Sequence, residues 1–357
     1  MAHLPETQQA IGRSSERGPV LFLDSFLGLI VCALCVGFVY QRLGARRDRA
    51  RHAGDGHWVE IGDGCSLFVR RRGESGPPVI FESGIAASHL NWRHIQDEVA
   101  QFAVAVTYDR AGLGWSSPCC TARTPKNVAA EMHAMLERAA IRPPYILVGH
   151  SFGGQAMRQF ALAYPDEVAA LILVDPMRCE EWPPLAPARQ ATLDRGSRMT
   201  RYAAGAARIG LARLVVTSAL CRESALSRRI AAASGNGGRY LLSRVTGELG
   251  KMPREVRPIV AAHWSRPDFY VGMRRHIEGV HATVREMCNA APIAGISVLV
   301  LTPDTSTPLS DIDLSRIGSN VQQVVVPGSA HWIHLDQPRV VVDAIRDAAL
   351  QHAAATV

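Results

Sequence analysis

The stretch YILVGHSFGG, Tyr145 to Gly154, sets four apolar residues directly before a Gly-x-Ser-x-Gly pattern. The apolar run reads as a short buried strand, and residues 152–164 can continue as a helix until Pro165 stops it. A serine between strand and helix, with glycines two residues to either side, predicts a sharp turn that holds the hydroxyl out from the sheet edge. Ser151 is then a candidate nucleophile, and the N–H of Phe152, at the helix start, can donate to an oxyanion. A plain helix N-cap is the competing reading of Ser151. The strand before it and the paired glycines favour the nucleophile.

Working outward, further apolar runs lie at 78–81, 102–108, 171–174, 296–301 and 321–326. Helical spacing fills 124–141, where Pro125 suits a first turn, and the chain closes with an amphipathic helix from Asp336 to about Ala354. A Gly62-Asp63-Gly64 break within 57–72 predicts a hairpin. Short buried strands alternating with helices define an α/β class with a mainly parallel sheet and helices on both faces. Chemistry in such sheets gathers at the C-terminal strand ends. Those ends are Gly84, Asp109, Ser151, Asp175, Asp304 and the segment after Val326. The 115 or so residues between Asp175 and Ile296 look helical, with breakers at Pro183-Pro184, at 235–238 and at Pro267. They read as an inserted helical lid.

Residues 20–40, VLFLDSFLGLIVCALCVGFVY, are long enough as a helix to cross a bilayer. Asp24, the one charge, stands near the start. Polar residues with two glutamates precede the stretch and no A-x-A site follows it directly, which favours an anchor over a cleaved signal. Arg42, Arg46, Arg47, Arg49 and Arg51 follow at once, so the positive-inside rule places the main domain in the cytoplasm. The expected organisation is a tail at 1–19, a transmembrane helix at 20–40, a basic linker at 41–56, a core at 57–176 and 296–357, and the lid at 177–295.

The net charge of +7 is too dispersed for a nucleic-acid binder, and no zinc-finger spacing or RNP-like aromatic run is present. The eight cysteines are irregularly spaced in a chain large enough to do without staples. Cys32 and Cys35 read as small residues of the apolar helix, and Cys119-Cys120 as loop residues.

YILVGHSFGG followed by LILVDP resembles the nucleophile region of the α/β-hydrolase superfamily. VIFESGIAAS with Trp92 beyond it, YDRAGLGWS from Tyr108 and VVVPGSAHWIHLDQP near the end are similar to further landmarks of that family. The resemblance runs over about residues 57 to 352. It implies that His331 is the catalytic base, with His334 the nearby rival, and that the backbone N–H of Ile85 is the second oxyanion donor. Many members carry His-Gly where this chain has Ser83-Gly84, which puts the bracing of that loop in question. The resemblance also implies an acid at Asp304, giving the chain order Ser151, Asp304, His331. Asp175, one strand earlier, is the alternative. His150 is expected to be structural, Asp311 and Asp313 a helix start, and Asp109-Arg110 either a substrate contact or an internal ion pair. The implied activity is cleavage of an ester-type acyl bond of a hydrophobic small molecule, with no metal or organic cofactor. A thioesterase, an amidase or an acyltransferase would use the same triad. A non-catalytic ligand-binding membrane receptor is the alternative of another class.

Overall fold

The computed structural model describes residues 17–178, 187–221 and 250–356. The breakers at Pro183-Pro184 and at 235–238, and most of the N-terminal tail, lie outside the described residues. In chain order the structure runs through α1 (Arg17–His52), β1 (His57–Gly62), β2 (Cys65–Arg72), β3 (Pro78–Glu82), α2 (Arg93–Val99), β4 (Val104–Tyr108), α3 (Pro125–Arg138), β5 (Tyr145–His150) and α4 (Phe152–Ala163). It continues through β6 (Val168–Val174), α5 (Pro187–Arg208), α6 (Leu211–Cys221), α7 (Arg257–Trp264), α8 (Pro267–Cys288), β7 (Ser297–Pro303), α9 (Asp311–Ile317), β8 (Val321–Val326), α10 (Ile333–Asp336) and α11 (Pro338–Thr356).

The strands form one eight-stranded sheet in the order β1-β2-β4-β3-β5-β6-β7-β8. From β4 to β8 every neighbouring pair is parallel, and β1 and β2 are antiparallel. The expected hairpin is present. Asp63 and Gly64 both have positive φ, which a two-residue loop matched to the strand twist requires.

Residue alternation along each strand builds two cores. Ile80, Val106, Leu147, Leu171 and Val300 face α3 and α4, where they meet Met132, Leu136 and Phe160. Val79, Phe81, Ile146, Val148 and Ile172 face the other way, toward Trp92 and Ile95 near α2 and Val341 and Ile345 of α11. Helix α3 begins as its sequence dictates. Thr124 accepts from the Asn127 N–H and Pro125 fills the first turn.

Two expectations are corrected. Residues 41–52, read as linker, continue α1 to His52 as helix. Arginine and alanine are strong helix formers, and tertiary bonds hold this turn-rich end in place. Gln41 Nε2 donates to the Ser265 carbonyl at 2.9 Å, and Arg213 pairs with Asp48 at 2.5 Å. Cys119, read as a plain loop residue, forms a disulfide with Cys65, with Cα atoms 5.2 Å apart. It fastens the start of β2 to the loop after β4. A separation of 54 residues gives no local spacing by which the pair could be read.

Four histidines, His150, His263, His276 and His334, are buried in this framework. Burial holds all four imidazoles below their ordinary range, His263 down to about 3. The unfolded chain takes up protons near pH 6.5 that the folded chain refuses. Stability from these groups is therefore fully present above about pH 6.5 and is lost as the pH falls below it. Each such histidine contributes a slope of about 1.4 kcal/mol per pH unit at most. Thermal unfolding followed at pH 7.5, 6.5 and 5.5 should show a midpoint that falls steeply below 6.5. A midpoint unchanged down to pH 5.5 would show that these imidazoles are not held neutral.

Candidate active site

Ser151 joins β5 to α4 with φ 55° and ψ −120°, a backbone region that costs a non-glycine residue about 1–3 kcal/mol. Neighbouring backbone holds it there. Its N–H donates to the Val174 carbonyl at 3.2 Å, and its carbonyl accepts from the N–H groups of Gly154 and Met177. The flanking glycines are required by contact. A Cβ on Gly149 would lie 2.6 Å from the Gly153 carbonyl oxygen. A Cβ on Gly153 would lie 2.6 Å from the carbonyl oxygens of Glu82 and Ser83. The turn therefore presses against the end of β3, which is where an oxyanion loop has to start. Phe152 opens α4, so its N–H has no partner within the helix.

His331 lies on the loop between β8 and α10. Its Nδ1 is 2.7 Å from Asp175 Oδ2. A carboxylate can only accept, so the proton is on Nδ1 and Nε2 is left as the free base. Ser151, Asp175 and His331 line one cavity of about 710 Å³ together with Ile85. The expected acid is thereby corrected. Asp304 does not contact His331; its Oδ2 accepts from the Gly328 N–H at 2.7 Å and fixes the first turn of the histidine loop. The reason is directional. Asp175 follows β6, the direct neighbour of β5, with φ 38°, and that turn aims its carboxylate at the imidazole.

The rest of the loop is pinned in the same way. Asp336 Oδ2 accepts from the Ala330 N–H at 2.9 Å. His150 Nε2 is 2.8 Å from the His331 carbonyl oxygen, so it donates there, which makes His150 a positioning residue rather than a base. His334, the rival histidine, is fully buried and stacks on Trp92 at 4.3 Å. Asp313 caps α9 with Ser310, as a helix start should.

The loop that leads to Ile85 has an unexpected brace. Glu82, buried at the end of β3, accepts from Arg110 Nη1 at 2.8 Å, from the Ser83 N–H at 2.7 Å and from the Tyr108 hydroxyl. Burial pushes its carboxyl above the usual range even with Arg110 alongside. Arg110 Nη2 also donates to the Gly84 carbonyl at 2.6 Å, and Nη1 donates to that of Ser83. The arginine thus holds the loop at Ser83 and Gly84 in place without a histidine there. Only a Cβ-sized space separates Gly84 from Ser151, since a Cβ on Gly84 would lie 3.3 Å from the serine Cβ. Ile85 comes next and forms the cavity wall. Asp109 is internal as well. It accepts from the His89 N–H and ring Nδ1 and from the Trp115 N–H, each at 2.9 Å; against the upward push of burial, His89 above all holds its carboxyl down at about 2.

A second cavity of about 250 Å³ shares Ile85, His331 and Trp332 with the first, and its other walls include Val260, Trp264 and Phe269. His331 therefore stands between a larger, polar-edged chamber, which Ser151 and Asp175 also line, and a smaller, mainly apolar one. Sequence reasoning pointed to Ser151, His331 and Ile85, which the structure brings to one cavity. It missed Glu82 as a loop brace, since partners 28 residues apart carry no local signal.

A family model described as the alpha/beta hydrolase fold matches residues 77–230. YqjL of Bacillus subtilis, itself described as uncharacterized, is 31% identical over 115 residues, covering 32% of this chain and 46% of that protein. Lipase LipV of Mycobacterium tuberculosis is 35% identical over 111 residues, covering 31% and 41%. The chain thus spans less than half the length of these curated relatives. Among solved structures, the ligand-free epoxide hydrolase CorEH superposes with a TM-score of 0.58 at 17% identity, covering 81% of this chain and 96% of that one. At that identity the likeness is one of fold. Taken with the sheet order and the turn at Ser151, these matches show an α/β-hydrolase fold, with the family model lying on residues 77–230.

Proposed function

We propose that the protein is a serine hydrolase that cleaves an ester-type acyl bond, with Ser151 as nucleophile, His331 as base and Asp175 as the acid that orients it. The observation that carries this reading is the His331–Asp175 hydrogen bond in the cavity that Ser151 lines. Ser151 Oγ attacks the acyl carbon while its proton passes to His331 Nε2. The carbonyl oxygen takes up the negative charge between the N–H groups of Ile85 and Phe152. Collapse breaks the bond to the leaving group, which leaves with the proton from His331. Water, deprotonated by the same imidazole, then releases the acid and regenerates Ser151.

The apolar cavity beside His331 supports a hydrophobic acyl group. Helices α5 to α8, within residues 177–295, act as the lid over it. Thioester, amide and acyl-transfer chemistry would use the same groups. Epoxide opening would call for a carboxylate nucleophile, and here a serine stands on the turn. A receptor that binds the same ligand without turnover is the reading of another class.

Helix α1 is read as a single-pass anchor, supported by a mean hydropathy of 1.9 over its apolar part and by side chains that stay outside the folded domain. The arginine excess after the span favours a cytoplasmic domain. The Cys65–Cys119 pair favours a second reading, a domain in an oxidising compartment. Alkaline carbonate should leave the full chain in the membrane pellet, and a C-terminal reporter read from each side decides the orientation. Release into the supernatant would remove the anchor.

Fluorophosphonate should label the native chain and not Ser151→Ala; equal labelling of both excludes the proposed nucleophile. On a series of p-nitrophenyl esters, Ser151→Ala should lower kcat/KM by about 10⁴-fold or more. The two aspartates separate cleanly. Asp175→Asn should cost about 10³–10⁴-fold in kcat by allowing the wrong imidazole tautomer, and Asp304→Asn should cost less than about tenfold, through loop placement alone. The reverse order would return the acid to Asp304. Labelling of Ser151 without turnover of any acyl substrate would favour the receptor.

A further inference from the structure

A third cavity, of about 540 Å³, lies away from Ser151 where α1 meets the folded domain. Its walls carry five guanidinium groups, those of Arg42, Arg46, Arg49, Arg208 and Arg266, against one carboxylate, Asp268. Asp268 is engaged with Arg266 at 3.2 Å. Arg49 stacks on Trp58 at 4.1 Å, and Arg42 lies by Phe38. Arg42, Arg46 and Arg208 have no carboxylate partner among the described residues. The first residues of α8, Pro267 and Asp268, also line the cleft, so the positive end of a 22-residue helix adds to the field. Like charges gathered this closely repel one another unless an anion lies between them. The planar forks of several arginines match the oxygens of a phosphate group.

The position of the cleft identifies the source of that phosphate. Helix α1 touches the α5–α6 turn closely at Gly37 and Tyr40. A Cβ on Gly37 would lie 2.3 Å from the Ile209 carbonyl oxygen, and one on Gly210 would lie 2.8 Å from the Tyr40 ring. These are the last residues of the apolar stretch, where a span meets the headgroup layer. Just after that contact in the chain, Leu211 and Leu214 expose apolar side chains to the surroundings. Phe38, from the apolar stretch itself, forms one wall of the arginine cleft. We propose that this cleft binds the phosphate of an anionic phospholipid headgroup, which seats the α5–α6 turn on the membrane surface. The inference rests on α1 as an anchor but not on the hydrolase chemistry.

The test uses the full chain in neutral detergent, with thermal unfolding followed by tryptophan fluorescence. The probes are dihexanoyl phosphatidylglycerol, dihexanoyl phosphatidylcholine and inorganic phosphate. Phosphatidylglycerol should raise the midpoint saturably, at concentrations about tenfold below those at which inorganic phosphate acts. Phosphatidylcholine should not raise it. Arg46→Gln with Arg208→Gln should weaken the phosphatidylglycerol response about tenfold. Arg46→Lys with Arg208→Lys, which keeps both charges, should retain most of it. A cooperative transition in each variant confirms folding without recourse to ester turnover. An equal response to phosphatidylcholine, or a response unchanged by the glutamine pair, overturns the proposal. Inorganic phosphate acting as well as phosphatidylglycerol overturns the lipid assignment in favour of a soluble anion. Carbonate release of the chain, by contrast, would remove the anchor and leave any anion response standing.

Discussion

The backbone contact between the Gly149–Gly153 turn and the end of β3 is the constraint from which the site follows. Gly153 lets the carbonyls of Glu82 and Ser83 lie against the turn at Ser151, and Gly149 lets that turn close on itself. That approach places the loop carrying Ile85 beside Ser151. It also buries the side chain of Glu82, which accepts from Arg110, from the Ser83 N–H and from the Tyr108 hydroxyl. The oxyanion loop is thus held by an internal ion pair, with no demand on the substrate. Across the sheet the same logic applies to His331, whose loop is tied at Gly328 by Asp304, at Ala330 by Asp336 and at its own carbonyl by His150. Asp175 then has only to fix the ring.

Much of this was legible in the sequence, for local reasons. Mainly apolar runs of four to seven residues between breakers gave the parallel strands, and β8 matches its expected span at Val321–Val326. The strand, the glycines and the helix around Ser151 are all within ten residues of one another. The carboxylate partner of His331 was not legible in this way. Asp175 and Asp304 both follow buried strands, and linear order is the same with either. The choice depends on which turn aims its carboxylate across the sheet, and a positive φ at Asp175 has no signature beyond the residue itself. The Cys65–Cys119 pair and the Glu82–Arg110 brace were hidden for a related reason, since each joins segments that meet only after the sheet has formed. The basic segment after residue 40 was read as linker from its charge. Charge does not forbid helix, and Gln41 and Asp48 find partners that keep it helical.

The basic charge has a structural place in this account. Part of it converges on one cleft, at the joint between α1 and helices α5 and α8. The element that would hold the chain in a membrane therefore also touches the elements that would admit a substrate. Gln41 and Asp48 on α1 both bond Arg213 on α6, which couples the two mechanically.

The central claim is that Asp175 orients His331 for Ser151, and the most direct measurement is the proton that lies between them. A hydrogen-bonded imidazole Nδ1–H resonates far downfield in a proton spectrum, clear of the amide envelope. That resonance should be present in the native chain and in Asp304→Asn, and absent in Asp175→Asn. A resonance kept in Asp175→Asn and lost in Asp304→Asn would contradict the account.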